Sequence, residues 1–98
     1  MPTVDQILAV LRAHGAELQR LGVRRLGLFG SAARGEATEA SDLDFLVELD
    51  PQTFDTYMDV KERLEGLLGR RVDLVVAEAV KPQLRRRVLE ETIYAEGV

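Results

Sequence analysis

Two apolar runs joined through a Gly-Ser turn leave this chain few folds to choose from. Residues 23–29 (VRRLGLF) and 42–49 (DLDFLVEL) each have the length and aliphatic content of a buried strand. The first runs into Gly30-Ser31, and ten residues separate that pair from Asp42. Side chains alternate along a strand, so Asp42 and Asp44 share one face while Leu43, Phe45 and Val47 take the other. Two carboxylates roughly 7 Å apart on one face suit divalent cations better than they suit a core. Like charges beside apolar surface raise each other's pKa and resist desolvation, a penalty that a bound metal removes.

Gly30 lets backbone approach a ligand closely, and Ala32 and Ala33 lead into what reads as a short helix. Free N–H groups at such a turn seat phosphate. Phosphate seat and carboxylates therefore fall on neighbouring strand ends, the layout that phosphoryl or nucleotidyl transfer needs. Arg34 stands beside the seat, either as a surface residue or as a charge partner for phosphate or carboxylate. Gly-Ser and Asp-x-Asp are each common. All four residues at one spacing arise by chance on the order of once in a thousand chains of this size.

The remainder of the chain supplies packing. Thr3 is placed to cap a first helix carrying Val4, Ile7, Leu8, Leu11, Leu18 and Leu21, with an interruption at His14-Gly15 and an end at Gly22. Phe54, Tyr57, Val60, Leu64, Leu67 and Leu68 recur at helical spacing up to Gly69. Residues 71–76 (RVDLVV) read as a third strand, with Asp73 set among aliphatics. That carboxylate either faces solvent or is a third acid of the site. Pro82 suits the first turn of a last helix, whose stripe is Leu84, Val88, Leu89 and Ile93. Arg85, Arg86 and Arg87 form the only basic cluster, offset by Glu90, Glu91 and Glu96. Arg24 and Arg25 read as solvated, and so does the lone histidine, His14.

Ninety-eight residues suffice for a single domain spanning residues 1–98. The expected class is α/β, a small mixed β-sheet with helices packed on it. Without cysteine there is no disulfide framework and no thiolate metal site. No stretch has the length of a membrane span, and the basic-then-apolar layout of a signal peptide is missing, so the expected location is the cytoplasm, with no membrane partner. A net charge of -4 argues against direct nucleic-acid binding over a broad surface.

Gly30-Ser31, ten intervening residues and Asp42-Leu43-Asp44 match the signature of the DNA polymerase β-like nucleotidyltransferase superfamily. With Arg34-Gly35-Glu36 and Ser41 included, the stretch resembles the minimal nucleotidyltransferases, often encoded as antitoxins beside HEPN-domain toxins. That resemblance implies the polymerase β-like catalytic core. It implies ATP as nucleotide donor, held through Gly30, Ser31 and Arg34, and two Mg²⁺ ions bound by Asp42, Asp44 and Asp73. A third carboxylate on a neighbouring strand is a feature of the superfamily. The resemblance further implies AMP transfer to a hydroxyl, a tyrosine in some members, of a partner HEPN toxin. Two other readings compete: an antitoxin that only binds its toxin, and the catalytic subunit of a small-molecule nucleotidyltransferase. Homo-oligomerisation is compatible with each.

Overall fold

Thr3 opens helix α1 (Val4–Ala13) with a reciprocal cap: its hydroxyl accepts from the Gln6 N–H, and the Gln6 side chain accepts from the Thr3 N–H. The computed structural model describes residues 2–98 and divides the N-terminal helical stretch in two. His14 leaves helical geometry (φ -111°, ψ 17°) and α2 (Gly15–Leu21) follows it. The interruption expected at His14-Gly15 is thus a break between two helices. His14 itself lies 3.4 Å from the Glu17 carboxylate.

Strands β1 (Val23–Phe29), β2 (Leu43–Leu49), β3 (Val72–Val76) and β4 (Ile93–Tyr94) form one sheet in the order β3-β2-β1-β4. The β1–β2 and β1–β4 pairs are antiparallel and β2–β3 is parallel. The sheet is mixed, as expected. Helix α3 (Gly30–Ala33) directly follows β1, α4 (Phe54–Leu68) joins β2 to β3, and α5 (Pro82–Glu91) precedes β4. A short 3-10 turn occupies Ala77–Ala79.

Alternation along the strands separates two faces. Leu26 and Leu28 of β1, Leu43, Phe45, Val47 and Leu49 of β2, and Val72 and Leu74 of β3 join one core. Ile7, Leu8, Leu11, Leu18, Val60 and Leu64 from α1, α2 and α4 complete it. The opposite face carries Asp44 and Glu48 of β2 and Asp73 of β3, half-buried or exposed. Residues of the acidic pattern are therefore on the face opposite the main core cluster, which on β2 they share with the buried Leu46.

The C-terminal end departs from the sequence-based expectation. Ile93 is at helical distance from Val88 and Leu89, yet α5 stops at Glu91 and Thr92 turns extended (φ -72°, ψ 131°). Ile93 and Tyr94 pair instead with Leu28 and Gly27. Gly27 makes this closure possible, because a Cβ there would strike Thr92 and the Tyr94 ring. Arg25 is not merely solvated either: its guanidinium stacks 3.8 Å above the Tyr94 ring centre. No helix among the described residues is long and apolar enough to cross a membrane.

Candidate active site

The topology brings four chain segments to one end of the sheet. β1 ends there, and β2, β3 and β4 all begin there, since β2 and β4 run antiparallel to β1 and β3 runs parallel to β2. Phe29, Asp44 and Asp73 form one row across three strands. Gly30-Ser31 follows at the end of that row, and Glu91 arrives on the other side, just before β4. Residues 61 positions apart in the chain thus meet at Gly30.

Gly30 holds a left-handed backbone (φ 72°), and a Cβ at this position would collide with the Asp44 carboxylate. Glycine is required twice over, for its conformation and for the space Asp44 occupies. The turn is closed by the Ser31 carbonyl, which accepts from the Glu36 N–H at 2.8 Å, and by the Gly30 carbonyl, which accepts from the Arg34 N–H at 3.2 Å.

Asp44 is half-buried, and its pKa is pushed up to about 6. Burial is the largest cause. The charge of Asp73 and a hydrogen bond with it add to the rise, as does the charge of Asp42, while Arg34 opposes it. Asp73 is exposed. Asp42 sits one residue ahead of β2, with Oδ1 3.4 Å from Arg71 Nε. The structure therefore brings Asp44 and Asp73 together and turns Asp42 toward Arg71. Among the described residues, no three acidic or imidazole side chains are already gathered around one metal position.

The residues present fit a hard divalent cation all the same. All three are oxygen donors, the ligand type that Mg²⁺ takes. Burial and the neighbouring carboxylates raise the Asp44 pKa, and a cation at this place would offset both. Beside Asp42 lies a cavity of about 310 Å³ lined by Glu39, Ala40, Ser41, Asp42, Gly69, Arg70 and Arg71.

Arg34 lies half-exposed and pairs with two carboxylates. Its Nη1 is 2.6 Å and its Nε 2.9 Å from the carboxylates of Glu91 and Glu36 respectively. Glu91 also accepts from the Gly30 N–H at 2.7 Å. In the sequence Glu91 reads only as an offset to the neighbouring arginines. No local pattern could have revealed it, because the contact depends on β4 pairing with β1.

Residues 11–95 match the nucleotidyltransferase domain family. The chain belongs to that family. This nucleotidyltransferase is 44% identical over 96 residues to the protein adenylyltransferase MntA of Thermococcus cleftensis, covering 96% of this chain and 97% of that protein. A solved minimal nucleotidyltransferase superposes with a TM-score of 0.74 at 45% identity, over 88% of this chain and 93% of the other. The nucleotidyltransferase also shares its fold with the complex of a tri-AMPylated Shewanella oneidensis HEPN toxin and an MNT antitoxin. There the TM-score is 0.57 at 18% identity, covering 88% of this chain and 72% of that one. The enzyme thus has the polymerase β-like fold in its minimal form.

Proposed function

We propose that this nucleotidyltransferase transfers AMP from ATP to a hydroxyl, in the first instance a tyrosine hydroxyl, of a partner HEPN-type toxin, and thereby acts as its antitoxin. The observation that carries the reading is the Asp44–Asp73 register pair set against the Gly30-Ser31 turn. Likeness to a protein adenylyltransferase over nearly the full length of both chains supports the adenylyl group and the protein acceptor. The reading takes residues 1–98 as one catalytic domain acting in the cytoplasm, with the acceptor presented by the partner.

In this reading the Gly30 N–H, Ser31 and the Arg34 guanidinium bind the triphosphate. Asp42, Asp44 and Asp73 would hold two Mg²⁺ ions. Bound Mg²⁺ supplies Lewis acidity, lowering the pKa of the incoming hydroxyl and neutralising charge on the phosphates. The acceptor oxygen forms a bond to the α-phosphorus while the bond from that phosphorus to the bridging oxygen breaks, and pyrophosphate leaves. In the same reading Asp73, exposed beside Asp44, takes up the hydroxyl proton. Glycine at position 30 leaves room for the Asp44 carboxylate, which occupies the space into which a side chain there would project.

The test is incubation of the purified protein with labelled ATP, Mg²⁺ and the HEPN protein encoded beside it. Label should appear on the partner, and Asp44→Asn should abolish it. Absence of label with the wild-type protein contradicts the reading.

A further inference from the structure

The Gly30 N–H and the Arg34 guanidinium are the groups assigned above to the triphosphate, and both are engaged by one carboxylate oxygen of Glu91. The Gly30 N–H reaches Glu91 Oε1 at 2.7 Å and Arg34 Nη1 reaches the same atom at 2.6 Å. These are short, charge-assisted contacts. A single N–H makes one good hydrogen bond, so a phosphate oxygen and Glu91 Oε1 cannot both take it. A carboxylate at that place would also repel a polyanion. Resting on the proposed function, we infer that Glu91 is a built-in competitor for the nucleotide's phosphates, and that nucleotide binding displaces its carboxylate.

The element carrying Glu91 is suited to being released. Helix α5 has no buried residue, and Leu84 and Leu89 are 50% and 44% exposed. Its N-terminal half is held by Arg85, whose guanidinium donates to the Glu78 and Val80 carbonyls at 3.4 and 3.3 Å. At its C-terminal end Glu91 bridges to Gly30 and Arg34, while the β4–β1 pairing that follows fixes the chain beyond. Glu91 is only 21% exposed whereas the other acidic residue of the helix, Glu90, is 67% exposed and pairs with Arg86 one turn away. The last turn of α5 is thus tied to the nucleotide seat by Glu91, and a nucleotide that takes its place frees Arg34 for phosphate and loosens α5. The Arg34–Glu36 pair can persist through the exchange, since Glu36 uses Nε and leaves Nη1 to the incoming anion.

The test compares ATP binding, with Mg²⁺ present and no acceptor protein, in the wild-type chain, Glu91→Gln and Glu91→Ala. Calorimetry reads the affinity, and thermal melting by circular dichroism checks the fold. Glu91→Ala should bind ATP about tenfold more tightly than wild type, the scale of one charge-assisted hydrogen bond no longer in competition, and Glu91→Gln, whose amide oxygen still accepts but carries no charge, should gain a smaller factor in the same direction. In the wild-type protein alone, backbone amide exchange over residues 82–92 should speed up when ATP is added. Tighter binding with faster exchange supports the inference. Equal or weaker binding by folded variants, or ATP-induced protection of residues 82–92, overturns it and makes Glu91 a positioning bridge; the proposed function then stands. If a variant melts below the measuring temperature, the wild-type exchange result decides. If neither wild type nor variants bind ATP, the assignment of the seat falls together with the inference.

Discussion

Asp44 and Asp73 are register partners on the parallel strands β2 and β3, so two carboxylates share one row at the end of the sheet where the Gly30-Ser31 turn arrives. Nothing in the packing requires this pair. The residues that both strands give to the main core cluster point to the opposite face, and burial together with the proximity of Asp73 holds the Asp44 proton to a pH of about 6. A charge arrangement that the fold does not need is the feature around which the proposed chemistry is built.

The raised pKa of Asp44 sets a pH dependence of stability. The unfolded chain releases the Asp44 proton near pH 3.8, the folded chain near pH 6. Below 3.8 both states hold the proton and Asp44 contributes its full stabilisation; as pH rises through about 6 that contribution is lost. Without metal, Asp44→Asn should flatten the Tm-against-pH curve across this interval, leaving Tm at neutral pH equal to wild type or slightly higher. Transfer by the same variant should fall on the order of 10²-fold or more. Melting curves at stepped pH, beside a labelled-ATP assay, measure both.

Gly30→Ala should damage stability and site together. A left-handed backbone at a residue with a Cβ costs about 1–2 kcal/mol, and the new methyl would strike the Asp44 carboxylate. Tm should drop measurably and ATP affinity should weaken. A variant with wild-type Tm and wild-type ATP affinity would place the phosphate seat elsewhere.

Tyr57 donates its hydroxyl to the Leu74 carbonyl at 2.6 Å, tying α4 to the edge strand that carries Asp73. Tyr57→Phe leaves that carbonyl without its partner. The expected loss is about 1 kcal/mol, a Tm decrease of roughly 4–8 °C for a domain of this size. Transfer should fall far less than in Asp44→Asn, because β3 keeps its pairing with β2. Differential scanning calorimetry with the same transfer assay separates the two effects.

Local chemistry made much of this architecture legible from residues alone. Thr3 caps α1, Gly22 and Gly69 end α2 and α4, and Pro82 begins α5, each through a short-range physical preference. The apolar run of residues 23–29 is β1 without adjustment, whereas Asp42 lies just outside the strand expected to contain it. What escaped was long-range. Ile93 satisfies a helical stripe as well as a strand, and only the bare backbone of Gly27, far away in sequence, admits it to the sheet. Glu91 follows from the same pairing. The resemblance to the superfamily implies Asp73 near Asp44, and the β2–β3 register puts the two side by side, while the turning of Asp42 toward Arg71 depends on side-chain packing that spacing does not encode.

In the proposed function the chain silences a partner by covalent modification rather than by coverage. Intact-mass spectrometry of the HEPN partner, after incubation with a small fraction of a molar equivalent of this protein, ATP and Mg²⁺, tests it most directly. Most of the partner should gain the mass of one or more AMP groups. It should stay inactive after the two proteins are separated, and Asp44→Asn should remove both effects. A partner of unchanged mass, protected only at equal concentration and equally well by Asp44→Asn, would contradict the proposed function.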